Sequence, residues 1–241
     1  MQELWRVLFS LGLLLLIIVV TKYLARDLIF SYQKAKVLKE EEPIFHRKSD
    51  TRLDEKITYI QEQIRQKRIY LAGEYQVPDD IIKELKQDKF SIRALQRLVD
   101  SIVLHTGVFN FVQVFVEEAD SGNTVGLYTT YGRMVREIYL YRNNKYRIEQ
   151  IMAILAHECT HNFLYYHNLE HSSEEENEIL TDVTAVCLGF GPLLLAGYKP
   201  VKEITKPESE DKTQGLKVHK WRIGYLKMSD LVYVVGAMNK D

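Results

Sequence analysis

Two histidines four residues apart, with a glutamate directly after the first, constrain this chain more than any other feature: His157-Glu158-Cys159-Thr160-His161. On an α-helix four residues turn through 400° and rise ~6 Å, so both imidazoles leave the same face. One metal ion can then bridge them with bonds of ~2.0–2.1 Å. Glu158 lies ~100° further round. It is badly placed to share that ligand plane but well placed to reach a water on the ion and act as a general base. Cys159, ~200° from His157, falls on the opposite face and reads as packing. With 7 His and 33 Asp or Glu in 241 residues, a pattern this short arises by chance about 3% of the time, so its surroundings must decide.

A site built on two histidines needs a third protein ligand and leaves a fourth position open. Downstream, Asn177-Glu178-Ile179-Leu180-Thr181-Asp182 carries Glu178 and, four residues later on the same helix face, Asp182. Glu178 would complete the site. Asp182 is placed to accept the second ring N–H of a ligating histidine, His157, and so fix its tautomer. A rival third ligand is His167, six residues after His161 in HExxHxxLxxH. On a continued helix it would face the wrong way, and Leu164 stands where a glycine would be needed for the turn that brings it back. Glu174, Glu175 and Glu176 read as an acidic first turn suited to the positive end of a helix, and His171 is a remote alternative.

In HExxH followed by a helix carrying ExxxD, the chain resembles the gluzincin metallopeptidases, the thermolysin-like group. The match runs closely from His157 to Asp182 and loosely over Val125 to Tyr131. The resemblance implies a zinc metalloendopeptidase that hydrolyses peptide bonds, with Zn²⁺ on His157, His161 and Glu178, Glu158 as general base and Asp182 behind His157. It also implies an edge strand above the metal, here Val125 to Tyr131, that holds an extended peptide or protein substrate. The donor to the oxyanion in such enzymes is a Tyr or His outside the motif; His219, Tyr225 and Tyr128 are candidates. A different class of function, a catalytically silent, zinc-stabilised interaction module tethered to a membrane, would have no use for Glu158.

The rest of the chain reads as α+β. Helical spacing runs through Leu53, Ile57, Ile60 and Ile64, with Thr51 and Asp54 as a capping box. It continues from Asp79 to Lys86 after Pro78, and from the N-cap Ser91 through Leu95, Leu98, Val99 and Ile102 to a stop at Gly107. Strands are expected over Val108 to Val116, Val125 to Tyr131 and Glu137 to Tyr141, making a small, mostly antiparallel sheet. Helices follow over Arg147 to Tyr166 and Ser173 to Leu188, with a last one from Ser229 to Met238. The sheet should pack on the HExxH helix, and the Glu178 helix behind it. The polar segment 199–217, with Pro200 and Pro207, reads as a solvated linker, with a lid over the cleft as the alternative. From Thr51 onward the chain is too short for the large second domain of thermolysin.

Leu8 to Val20, LFSLGLLLLIIVV, is uncharged, and with Trp5 and Val7 it approaches the ~17 residues needed for a span. It ends in Ile-Ile-Val-Val-Thr rather than in the small residues of a cleavage site, which favours a retained single-pass anchor. The division is therefore 1–22 anchor, 23–50 membrane-proximal stem and 51–241 zincin-like domain. Lys22, Arg26, Lys34, Lys36 and Lys39 follow the run, against Arg6 before it, which places the domain on the cytoplasmic side. A formal charge of -1 gives nucleic acid nothing to be drawn to. Two cysteines cannot build a disulfide framework.

Overall fold

The computed structural model describes residues 51–118, 125–131, 135–198 and 225–238. The anchor, the stem, the segment 199–217 and His219 lie outside the described residues. α1 (Thr51–Gln66) turns Leu53, Ile57, Ile60 and Ile64 inward. α2 (Asp79–Gln87) follows Pro78 and buries Ile81 and Leu85. α3 (Ile92–His105) starts at Ser91, whose side chain accepts from the Ala94 N–H, and buries Leu95, Leu98, Val99 and Ile102 completely. Arg97 of α3 pairs with both Asp80 and Glu84 of α2, pinning the two helices at their surface.

The sheet is mixed. β1 (Gln113–Glu118), β2 (Gly126–Tyr131) and β3 (Val135–Arg142) lie in the order β1-β3-β2, with β1 parallel and β2 antiparallel to β3. This corrects the mostly antiparallel expectation: β1 does not meet β2 but lies parallel to β3. β3 takes the centre because Ile138 and Leu140 are wholly buried and a central strand is covered on both flanks. The ladder also begins later than Val108. Residues 108–112 alternate, with Val108 and Val112 inward and Phe109 and Phe111 84% and 64% exposed, but among the described residues no strand pairs with them. Instead the Gln96 side chain on α3 donates to Val112 O (2.8 Å) and accepts from Val114 N (3.0 Å), standing in for a neighbouring strand at the outer edge of β1.

α4 (Ile148–His167) runs through the middle of the molecule. Gln150 Oε1 accepts from the Arg147 N–H at 3.0 Å at its start, and it is buried from Gln150 to Thr160. It ends at Asn168, in the left-handed conformation (φ 52°). α5 (Glu174–Ala185) opens with three glutamates. Of these, Glu176 pairs with Arg52 and, at 2.6 Å, with Lys56 of α1.

The helix expected to run through Leu188 instead loosens into a π turn at Val186–Phe190 and resumes as α6 (Gly191–Tyr198), which the sequence reading did not anticipate. The break sits at Gly189, φ 89°, whose carbonyl accepts from the Tyr75 N–H at 3.1 Å. A Cβ there would stand 2.0 Å from the carbonyl oxygen of Gly73. Gly189→Ala should therefore combine a disfavoured left-handed backbone with a backbone clash and cost about 3 kcal/mol, readable as a lower urea midpoint. Across the turn, Glu174–Tyr198 is the one helical run among the described residues long and apolar enough to cross a membrane. Since 72% of its most apolar window is buried inside the protein, core packing accounts for it. α7 (Met228–Met238) closes the described chain, packing Leu231 and Val234 inward.

Candidate metal centre

α4 and α5 carry every member of the cluster, and packing these two helices together assembles it. His157 and His161 project from one face of α4, with their Nε2 atoms 3.2 Å apart. Glu178, one turn into α5, brings Oε2 to 3.0 Å from His157 Nε2 and Oε1 to 3.3 Å from His161 Nε2. These three side chains form a group that could hold a metal ion. Tetrahedral bonds of ~2.0–2.1 Å place neighbouring ligand atoms ~3.3 Å apart, so the spacing suits such an ion.

The outer nitrogens explain why the inner ones face each other. His157 Nδ1 donates to Asp182 Oδ1 at 2.8 Å. His161 Nδ1 lies 3.3 Å from Thr181 Oγ1, whose hydroxyl hydrogen is committed to Asn177 O at 2.8 Å, leaving a lone pair to accept the imidazole N–H. With both Nδ1 hydrogens so placed, two Nε2 lone pairs converge, an arrangement that a cation or a shared proton must satisfy. Asp182 is held in turn: its Oδ2 accepts from the backbone N–H groups of Tyr225 (2.7 Å) and Leu226 (2.9 Å).

In the metal-free protein the acidic groups hold a proton on His157. Burial opposes charge on His157, but the carboxylates of Asp182, Glu178 and Glu158 outweigh it and raise its pKa well above 6.5. Burial likewise pushes Glu178 up, yet its hydrogen bonds from His157 and His161 prevail and bring it down to about 2. The raised His157 pKa gives stability that is complete below the ordinary value of 6.5 and is lost as pH rises through the folded value. The Glu178 contribution is present above its ordinary 4.5 and disappears only as pH falls toward 2. The thermal midpoint of metal-free protein should accordingly fall as the pH is raised above about 6.5. Zinc affinity should rise over the same range because the metal competes with that proton.

Glu158 stands outside the three-donor group, buried, with β2 above it. A Cβ on Gly126 would lie 2.6 Å from Glu158 Oε1 and 2.7 Å from Ile154 Cγ2, so only glycine lets the strand come this close. Burial raises the Glu158 carboxyl above its ordinary value. The His157 and His161 imidazoles and the Tyr128 backbone N–H pull it down, while the Glu178 charge pushes with burial. Among the described residues β2 is an edge strand, bonded to β3 alone. Val125 O accepts from Tyr141 N, so by alternation the backbone groups of Gly126, Tyr128 and Thr130 point to the open edge beside the metal group.

Tyr128 also ties this edge to α4. Its ring stacks parallel to that of His161 (centroids 6.3 Å, 7°) and its hydroxyl donates to Asn162 Oδ1 at 3.2 Å. Asn162, wholly buried, exchanges two amide hydrogen bonds with Asn110, at 2.8 and 3.1 Å. Burial pushes the Tyr128 phenol up, keeping it protonated. The sequence reading named Tyr128 only as one of several oxyanion donors and missed Asn110, Gly126, Asn162 and Thr181. Thr181 was legible in principle, since it lies three residues after Glu178 on the same helix.

The rivals lie elsewhere. His167 packs on the rings of Phe163 and Tyr166 (centroids 4.6 and 5.0 Å), away from the cluster. His171 turns Nδ1 to the Ser173 backbone N–H. Cys159 is fully buried, its thiol pKa raised by burial, and is not a member of the group. No family model matches the chain, and no match is found among curated proteins or solved structures.

Proposed function

We propose that the protein is a membrane-anchored zinc metalloendopeptidase of the gluzincin type. The observation that carries this reading is the position of Glu158: outside the three-donor group, yet buried between it and the open edge of β2. A metal site serving only to hold the fold has no need of a carboxylate in that place.

His157, His161 and Glu178 would hold zinc, which when bound supplies water of lowered pKa and polarises a carbonyl. The chain's own residues do the rest. Asp182 and Thr181 fix the imidazole tautomers and orientations. Glu158, its affinity for protons raised by burial, takes a proton from the attacking water and passes it to the leaving amine. The outward backbone groups of Gly126 and Thr130 pair with an extended peptide by strand addition, placing its carbonyl over the cluster. The Tyr128 hydroxyl stays a neutral donor at the edge of the site. Leu8 to Val20 supports tethering the domain to a membrane, and the Lys and Arg residues that follow it support the cytoplasmic side.

Zinc-loaded full-length protein in detergent should cleave members of a mixed peptide library detected by mass spectrometry. Cleavage should stop with 1,10-phenanthroline and return with added zinc. A zinc-loaded, folded protein that leaves every peptide intact would overturn the reading in favour of a silent zinc-stabilised module.

A further inference from the structure

A cavity of about 230 Å³ opens between α1, the turn after α4, and α5. Its walls are Glu55, Lys56 and Tyr59 from α1, Leu169, Glu170 and His171 from the turn, and Leu180 from α5. Leu180, two residues beyond Glu178, lies on the opposite face of α5, so it is the Glu170 corner that adjoins the metal group, close enough to His161 and to Tyr128 for its charge to act on both. The volume equals about eight waters at ~30 Å³ each. It suits one long side chain and falls short of the ~300 Å³ at which small-molecule sites begin.

The chemistry of the walls selects the side chain. Lys56 spends its charge on Glu176, 2.6 Å away. The carboxylates of Glu55 and Glu170 have no hydrogen bond or ion pair among the described residues, so the cavity carries an excess of negative charge. The Tyr59 ring, 43% exposed, together with Leu169 and Leu180, offers an apolar lining. An aliphatic stem ending in a cation fits both halves of this surface: methylenes against the ring and the leucines, and the charged head between two carboxylates. We propose that the cavity is the subsite for a lysine or arginine side chain of the peptide substrate, held by Glu55 and Glu170. The proposal rests on the peptidase reading for its purpose but not for its test.

The test measures binding without turnover. Full-length, zinc-loaded protein carrying Glu158→Gln is titrated into fluorescein-labelled heptapeptides of alanine with arginine, norleucine or glutamate at the centre, and followed by fluorescence anisotropy. The arginine peptide should bind about tenfold tighter than the norleucine peptide, and the glutamate peptide weakest. In Glu55→Gln/Glu170→Gln the arginine advantage should vanish while norleucine binding and zinc content stay the same; Glu170→Gln alone should lose part of it. Equal binding of arginine and norleucine peptides, a preference that survives the double substitution, or no binding by any peptide would each overturn the proposal. Since no cleavage is read, a wild-type protein that cuts nothing would sink the peptidase reading while the arginine preference still decides the subsite.

Discussion

Glu178→Ala and His157→Ala should each reduce bound zinc from about one per chain to a small fraction, whereas His167→Ala should leave it in place. Removing either residue takes away one of only three protein donors. The loss in affinity should exceed the ~10–100-fold typical of removing a hydrogen-bond partner behind a ligand. Asp182→Asn supplies that smaller reference value, since it weakens the hold on His157 Nδ1 without touching a donor atom. Elemental analysis of dialysed full-length protein gives the stoichiometry, and competition with a chelator gives the ranking. Zinc at full occupancy in Glu178→Ala would show that the 3.0 and 3.3 Å approaches of that carboxylate are an ion pair with the histidines and nothing more.

Glu158→Gln should leave zinc content and fold unchanged and lower kcat/KM by about 10²–10⁴-fold, the usual worth of a positioned general base. The amide keeps the size of the side chain and an oxygen for the Tyr128 backbone N–H, but it cannot accept a proton from water. In the wild type the acid limb of the kcat/KM profile should follow Glu158. A Glu158→Gln protein that retains wild-type turnover would remove the residue from the chemistry.

The parts of this structure that could be read in the sequence are those governed by local spacing. Leu53, Ile57, Ile60 and Ile64 recur at helical intervals, Ser91 caps α3, and the intervals separating His157, His161, Glu178 and Asp182 already imply shared helix faces. What could not be read depends on partners distant in the chain. Phe109 and Phe111 carry the alternation of a strand, but Asn110 between them is held by Asn162, 52 residues away, and the outer edge of β1 meets a glutamine side chain from α3. The order of the sheet follows from which strand must be covered on both flanks, and pattern alone does not say that. The helix expected to end at Leu188 instead bends at Gly189 and runs on to Tyr198. Thr181 escaped notice because a threonine behind a histidine has no spacing signature apart from the glutamate it follows.

The grip on Asp182 has a bearing on how the protein is made. The two amides that hold its second oxygen belong to Tyr225 and Leu226, the latter 44 residues further along the chain. At synthesis rates of ~5–20 residues per second, that interval is about 2–9 s. During it the emerging polypeptide already contains both histidines and Glu178, but the carboxylate steadying His157 is still without those amide partners. A metal captured in that window meets a looser centre than the folded domain offers, and the arrival of Tyr225 and Leu226 is what tightens it.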